Sequence, residues 1–94
     1  MPKVDDTLTE RDNRYGSMVQ NALLTQALMQ EILYAAYENG SSLSPMHVEC
    51  LHMIMHKVAR MVIGDQWYAD NPHDIAGYAT RLEDYIRDMG EEAL

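Results

Sequence analysis

Between Glu49 and Tyr78 the chain gathers residue types that do chemistry. Glu49, His52, His56 and Arg60 follow one another at spacings of three, four and four, which on a helix puts them along one stripe. Glu-x-x-His is the ligand unit of di-iron helical bundles, and His-x-x-x-His can pinch a zinc ion. A di-iron site needs two such units, so a symmetric dimer would have to double this one. A partly solvated polar face explains the same stripe without a metal. Asp74 is a further metal-ligand candidate downstream. Lys57 and Arg60 stand one turn apart, and a hairpin of two helices would bring them to the start of the segment holding Asp74. That arrangement is either an ion pair fixing helix register or a phosphate clamp, with cations beside the free N–H groups of a helix N-terminus. Arg14 and Tyr15 precede Gly16 just before a helix. Tyr15 either staples that helix or, with Arg14, faces a ligand, and Tyr78 is a second ring for a base.

Three helices must position these groups. Ser17 with Gln20 opens the first as a capping box, and Asn39-Gly40 supplies a left-handed stop. The apolar positions between them (Met18, Ala22, Leu24, Ala27, Leu28, Ile32, Ala35, Ala36) wrap more than one face, so the helix is either central or half-covered by a second subunit. Ser44 as N-cap and Pro45 at the first position open the second helix, which Gly64 ends. Val48, Leu51, Met55, Val58 and Val62 give it one apolar stripe. Asn71 as cap, Pro72 at the first position and Asp74 at the third open the last helix, which buries Ile75, Tyr78 or Ala79, Leu82, Tyr85 or Ile86, and Met89, and stops at Gly90. The expected fold is all-α: a three-helix core over about 17–39, 44–63 and 71–89, with a short N-terminal helical turn begun by Thr7 and Glu10. Residues 1–6 read as a flexible tail, 7–90 as one helical domain and 91–94 as a flexible C-terminus.

Composition narrows the function classes. The chain has 94 residues, enough for one modest core, with eight Met, one Trp and no Phe. Met specifies packing poorly, which points to a core completed by a partner chain and hence a homodimer or higher oligomer. With 15 acidic and 7 basic side chains the net charge is −8, so direct duplex DNA binding is not expected. The single cysteine, Cys50, excludes an internal disulfide and reads as a buried, inert thiol. No stretch resembles a signal peptide or a membrane span, so the expected location is the cytoplasm, that of the host cell if the protein is phage-encoded.

Two family resemblances follow from these motifs. His56, His73-Asp74 and Asp84 occur in the order that HD phosphohydrolases use around metals. The chain is short for that fold, and capping already accounts for an aspartate there. The motifs "ERDNRYGS", "HKVARMVIGD" and "DIAGYA" together resemble a phage- and prophage-encoded family of uncharacterised function, over about Glu10 to Tyr85. Their order is similar to that of phage nucleotide-modification-associated domains and, distantly, to the all-α nucleoside-triphosphate pyrophosphatases of the MazG type. That resemblance implies an oligomeric helical bundle in which Glu-x-x-Glu and Glu-x-x-Asp hold Mg²⁺. Here the first helix carries Gln26, Gln30 and Glu31 with no Glu-x-x-Glu, and only Asp74, with Glu49, has a counterpart.

Three functional readings therefore stand. In the first, a small phage-type accessory protein associates with a nucleotide: Arg14, Lys57 and Arg60 meet phosphate, Tyr15 or Tyr78 a base, and Asp74 with Glu49 a Mg²⁺ or other divalent ion. Whether it also hydrolyses the nucleotide, as a metal-dependent pyrophosphohydrolase would, stays open, since the carboxylate set is incomplete. In the second, the protein is a non-catalytic acidic interaction protein that binds and inhibits a basic host protein or defence complex. A metal stripe at Glu49, His52 and His56 is the third.

Overall fold

The computed structural model describes Leu8 and residues 13–90. Three α-helices account for most of them: α1 (Met18–Glu38), α2 (Pro45–Ile63) and α3 (Asp70–Tyr85), followed by a π-helical turn at Ile86–Gly90. Among the described residues there is no strand, and the fold is all-α as the sequence implies. Residues 13–15 are helical, where the sequence predicts a short N-terminal turn; the capping box at Thr7 and Glu10 and the tails at 1–6 and 91–94 lie outside the described residues. No described helix is long and apolar enough to cross a membrane.

The ends of α1 and α2 follow the sequence. The Ser17 hydroxyl accepts from the Gln20 N–H and the Ser44 hydroxyl from the His47 N–H, each satisfying a donor that a helix N-terminus leaves unpaired. Gly40 ends the first hairpin arm at φ 67°. The start of α3 differs from expectation. The helix begins at Asp70, its cap is Ala69 without a side-chain hydrogen bond, and Asn71 is buried inside the first turn. Asp74 is thus the fifth helical residue, beyond the reach of the exposed N–H groups.

The middle helix carries the architecture. α2 packs on α1 along one side and on α3 along the other, while α1 and α3 do not touch. A helix with two neighbours needs two packing faces, so its most buried positions are small: Cys50 and Ala59. The stripe of Val48, Leu51, Met55 and Val58 is half-buried, and Val62 at its end is exposed. α1 is the outer layer rather than the centre, and only Asn21, Thr25 and Met29 are fully buried on it. On α3 the face of Ile75, Tyr78, Leu82, Tyr85 and Ile86 is half-buried. Met89, expected on that face, is exposed, because the wider π turn after Tyr85 rotates it out of register. The body is elongated, 53 × 27 × 22 Å, with a radius of gyration of 16.0 Å against about 12 Å for a compact chain of this length.

Candidate functional site

Two glycines bring the pieces of the site together. The turn Arg14-Tyr15-Gly16 crosses the end of α2 so closely that a Cβ on Gly16, at φ +78°, would stand 2.7 Å from Ile63 Cγ2. A Cβ on Gly64 would overlap the backbone of Arg14 and Tyr15. Gly64 itself has φ −100°, so glycine is required there for space and not for a left-handed turn. The crossing is latched by hydrogen bonds. The Asp65 N–H donates to the Arg14 carbonyl at 2.8 Å, and the Asn21 amide donates to the carbonyls of Tyr15 and Ser17.

This crossing places Arg14 and Tyr15 beside Arg60 on α2 and Tyr68 on the α2–α3 loop. The Arg60 guanidinium lies 4.2 Å from the centre of the Tyr15 ring, and that of Arg14 lies 4.7 Å from the Tyr68 ring. The two rings meet edge to face at 5.9 Å and 67°. Cation and ring therefore alternate across the cluster, each guanidinium covering one ring face. Asp70 accepts from the Tyr68 hydroxyl and, with burial and the Tyr15 ring adding to it, pushes the phenol up to about 12. Tyr68 is a hydrogen-bonded fixture and not an acid at neutral pH.

The cluster forms one wall of an open cavity of about 830 Å³ between α1 and α2, within the range of small-molecule sites. Its nitrogen-rich side holds Arg14, Arg60, His52 and His56, and its α1 side holds Asn21, Thr25 and Gln26. None of the described lining residues is Asp or Glu, in a chain of net charge −8. Thr25 and Asn21 are only 2% and 5% exposed, yet Thr25 Oγ1 and Asn21 Oδ1 have no hydrogen-bond partner among the described residues. A buried polar atom left unpaired costs free energy on the order of 1–3 kcal/mol, which a ligand or a bound water recovers by pairing with it. Burial lowers the His56 pKa below its usual 6.5, and Arg60, Lys57 and His52 lower it further. An anion beside His56 would act in the opposite direction.

The residues singled out in the sequence divide into two groups. Arg14, Tyr15, Arg60, His52 and His56 come together at this cavity. Lys57, Asp74 and Tyr78 belong instead to the α2–α3 seam. Lys57 Nζ pairs with Asp74 Oδ2 at 3.0 Å, and the Tyr78 ring lies 5.9 Å from the Arg81 guanidinium. Of the two arrangements open to Lys57, Arg60 and Asp74, the structure shows the ion pair, between Lys57 and Asp74, while Arg60 stacks on Tyr15 instead of joining Lys57 at the start of α3. The metal set of Glu49, His52, His56 and Asp74 is not assembled either. Among the described residues no three His, Cys, Asp or Glu side chains cluster closely enough to hold a metal ion. Glu49 is exposed on the first turns of α2, and Asp74 is engaged by Lys57.

Asn21, Thr25 and Tyr68 are site residues that the sequence reading passed over. The signal for the first two was available: polar residues four apart on either side of an apolar run, "NALLT". Tyr68 had none, since its neighbours at the site come from a distant turn. Comparison with known proteins finds no matching family model, no matching curated protein and no matching solved structure.

Proposed function

We propose that this chain is a small accessory protein that binds a nucleotide in the α1–α2 cavity without hydrolysing it. One observation carries the reading: a cavity lined by two guanidiniums and two imidazoles, and by no described carboxylate, within an acidic chain. Such a lining favours an anion with several oxygens, which Arg14 and Arg60 would meet as planar donors. Tyr15 and Tyr68 offer ring edges and faces to a base. Thr25 Oγ1 and Asn21 Oδ1 would pair with the ligand's polar groups deep in the cavity. Binding without turnover is favoured because a triphosphate–Mg²⁺ reaction needs several hard oxygen ligands, and the described lining offers no carboxylate. The resemblance to phage nucleotide-associated families supports a nucleotide over other anions, and a phage context.

Calorimetric titration with ATP, ADP, AMP, adenosine and pyrophosphate tests this. Affinity is expected to fall from the tri- to the monophosphate, and Arg60→Ala is expected to weaken ATP binding by about tenfold or more. No heat with any of these compounds at millimolar concentration overturns the proposal.

A second reading rests on Trp67, which is 84% exposed on a loop between Asp65 and Asp70. An exposed indole flanked by carboxylates suits a contact with a basic host protein. Here Trp67→Ala is expected to abolish a salt-sensitive complex while leaving nucleotide binding unchanged.

A further inference from the structure

The part of α1 that α2 leaves uncovered carries a pattern of its own, which meets the cavity only at Gln26. Val19, Leu23, Gln26, Gln30, Leu33 and Tyr37 follow at spacings of four, three, four, three and four, the a/d seam of a coiled coil. All six are exposed, with Val19 at 68%, Leu23 at 69%, Leu33 at 45% and Tyr37 at 79%. The neighbouring Tyr34 is exposed as well. The apolar members leave on the order of 500 Å² uncovered per chain, about the size of the largest patch a monomer normally shows.

We infer that a second copy of this chain covers this seam, with its α1 antiparallel to the first. The pattern is a palindrome about Leu28: Val19 then faces Tyr37, Leu23 faces Leu33, and Gln26 faces Gln30. A twofold contact needs such self-complementarity, because the same surface must serve both sides. The antiparallel order also sets the small Val19 against the large Tyr37, which fills space evenly; a parallel pair would stack Tyr37 on Tyr37 and Val19 on Val19. Charge points the same way. In a chain of net charge −8 two copies repel, yet α1 bears only Glu31 and Glu38, and both lie off the seam. The glutamines in the middle pair with each other and fix the register, as a polar layer does in coiled coils. Two 21-residue helices meeting over about 30 Å reach the ~1,200 Å² of total burial that stable interfaces require. This inference does not rest on the ligand assigned to the cavity, which the seam borders at Gln26.

Sedimentation equilibrium of the whole chain is expected to give a dimer at micromolar concentration. Leu23→Glu with Leu33→Glu is expected to give a folded monomer by circular dichroism, since both side chains are exposed. Gln26→Leu with Gln30→Leu is expected to tighten the dimer about tenfold or more by replacing the polar layer. In a Cys50→Ala background, Val19→Cys and Tyr37→Cys chains are expected to cross-link only when mixed. A wild-type monomer at 100 µM overturns the inference, as does a dissociation constant unmoved by the glutamates. Cross-links that form within each single variant and not between them overturn the antiparallel order.

Discussion

The two sides of α2 are built from similar residues and behave differently. On the α3 side, Lys57 is 12% exposed and finds Asp74, at 41%, at 3.0 Å, so the charges cancel within the fold. On the α1 side, Arg14 and Arg60 lie against tyrosine rings, a contact that leaves the cationic charge uncancelled. Two buried oxygens on α1 are likewise unpaired. A closed ion pair fixes how two helices meet. Cations held on rings, over buried oxygens and an open cavity, leave binding capacity for a ligand. The contrast separates a stabilising seam from a site.

Perturbing each side should move a different observable. The largest effect is expected at the crossing that builds the site: Gly64→Ala pushes a methyl into the Arg14 and Tyr15 backbone and should cost about 3 kcal/mol in denaturant unfolding. A loss below about 0.5 kcal/mol would mean that the two turns are not in contact. On the seam, Asp74→Asn strands a mostly buried ammonium and should cost about 1–2 kcal/mol while leaving nucleotide affinity unchanged. Changed affinity without changed stability would put Lys57 and Asp74 back in the site. On the cavity side, Thr25→Val removes the unpaired hydroxyl at nearly constant volume. The free protein should gain about 1 kcal/mol and its nucleotide affinity should drop. Lower stability in that variant would show the hydroxyl to be a structural partner.

The smallest effect is in pH. His56 has a folded-state pKa below its unfolded value, so the unfolded chain binds more protons in the interval between them. Its contribution to stability is complete above about pH 6.5 and is lost as pH falls toward the folded value. A bound anion raises that pKa, so ligand binding should take up a proton and strengthen on acidification. The comparison to make is wild type against His56→Gln, by melting temperature and by calorimetry in buffers of different ionisation enthalpy.

Much of the scaffold was legible because it depends on neighbours in sequence. Ser17, Ser44 with Pro45, and Asn39-Gly40 mark helix ends through hydrogen bonds and φ angles that act within four residues, and the structure keeps all three. Asn71 misled for a related reason: Asn before Pro signals a cap, but tertiary packing buries this one inside the turn. The stripe of His52, His56 and Arg60 was visible as a stripe, while its partners were not. Helical spacing states which side chains share a face and is silent on what stands opposite.

The amino-acid order alone determined three helices, the limits of the first two to within a residue, and a net charge of −8, since capping, periodicity and net charge are local or additive. Only the tertiary structure decided that Lys57 would pair with Asp74 and that Arg60 would lie on the Tyr15 ring. That division depends on which neighbour each face of α2 receives, and α1 and α3 arrive on opposite sides of it. It also rests on Gly16 and Gly64, nearly fifty residues apart, lying close enough for two backbones to touch.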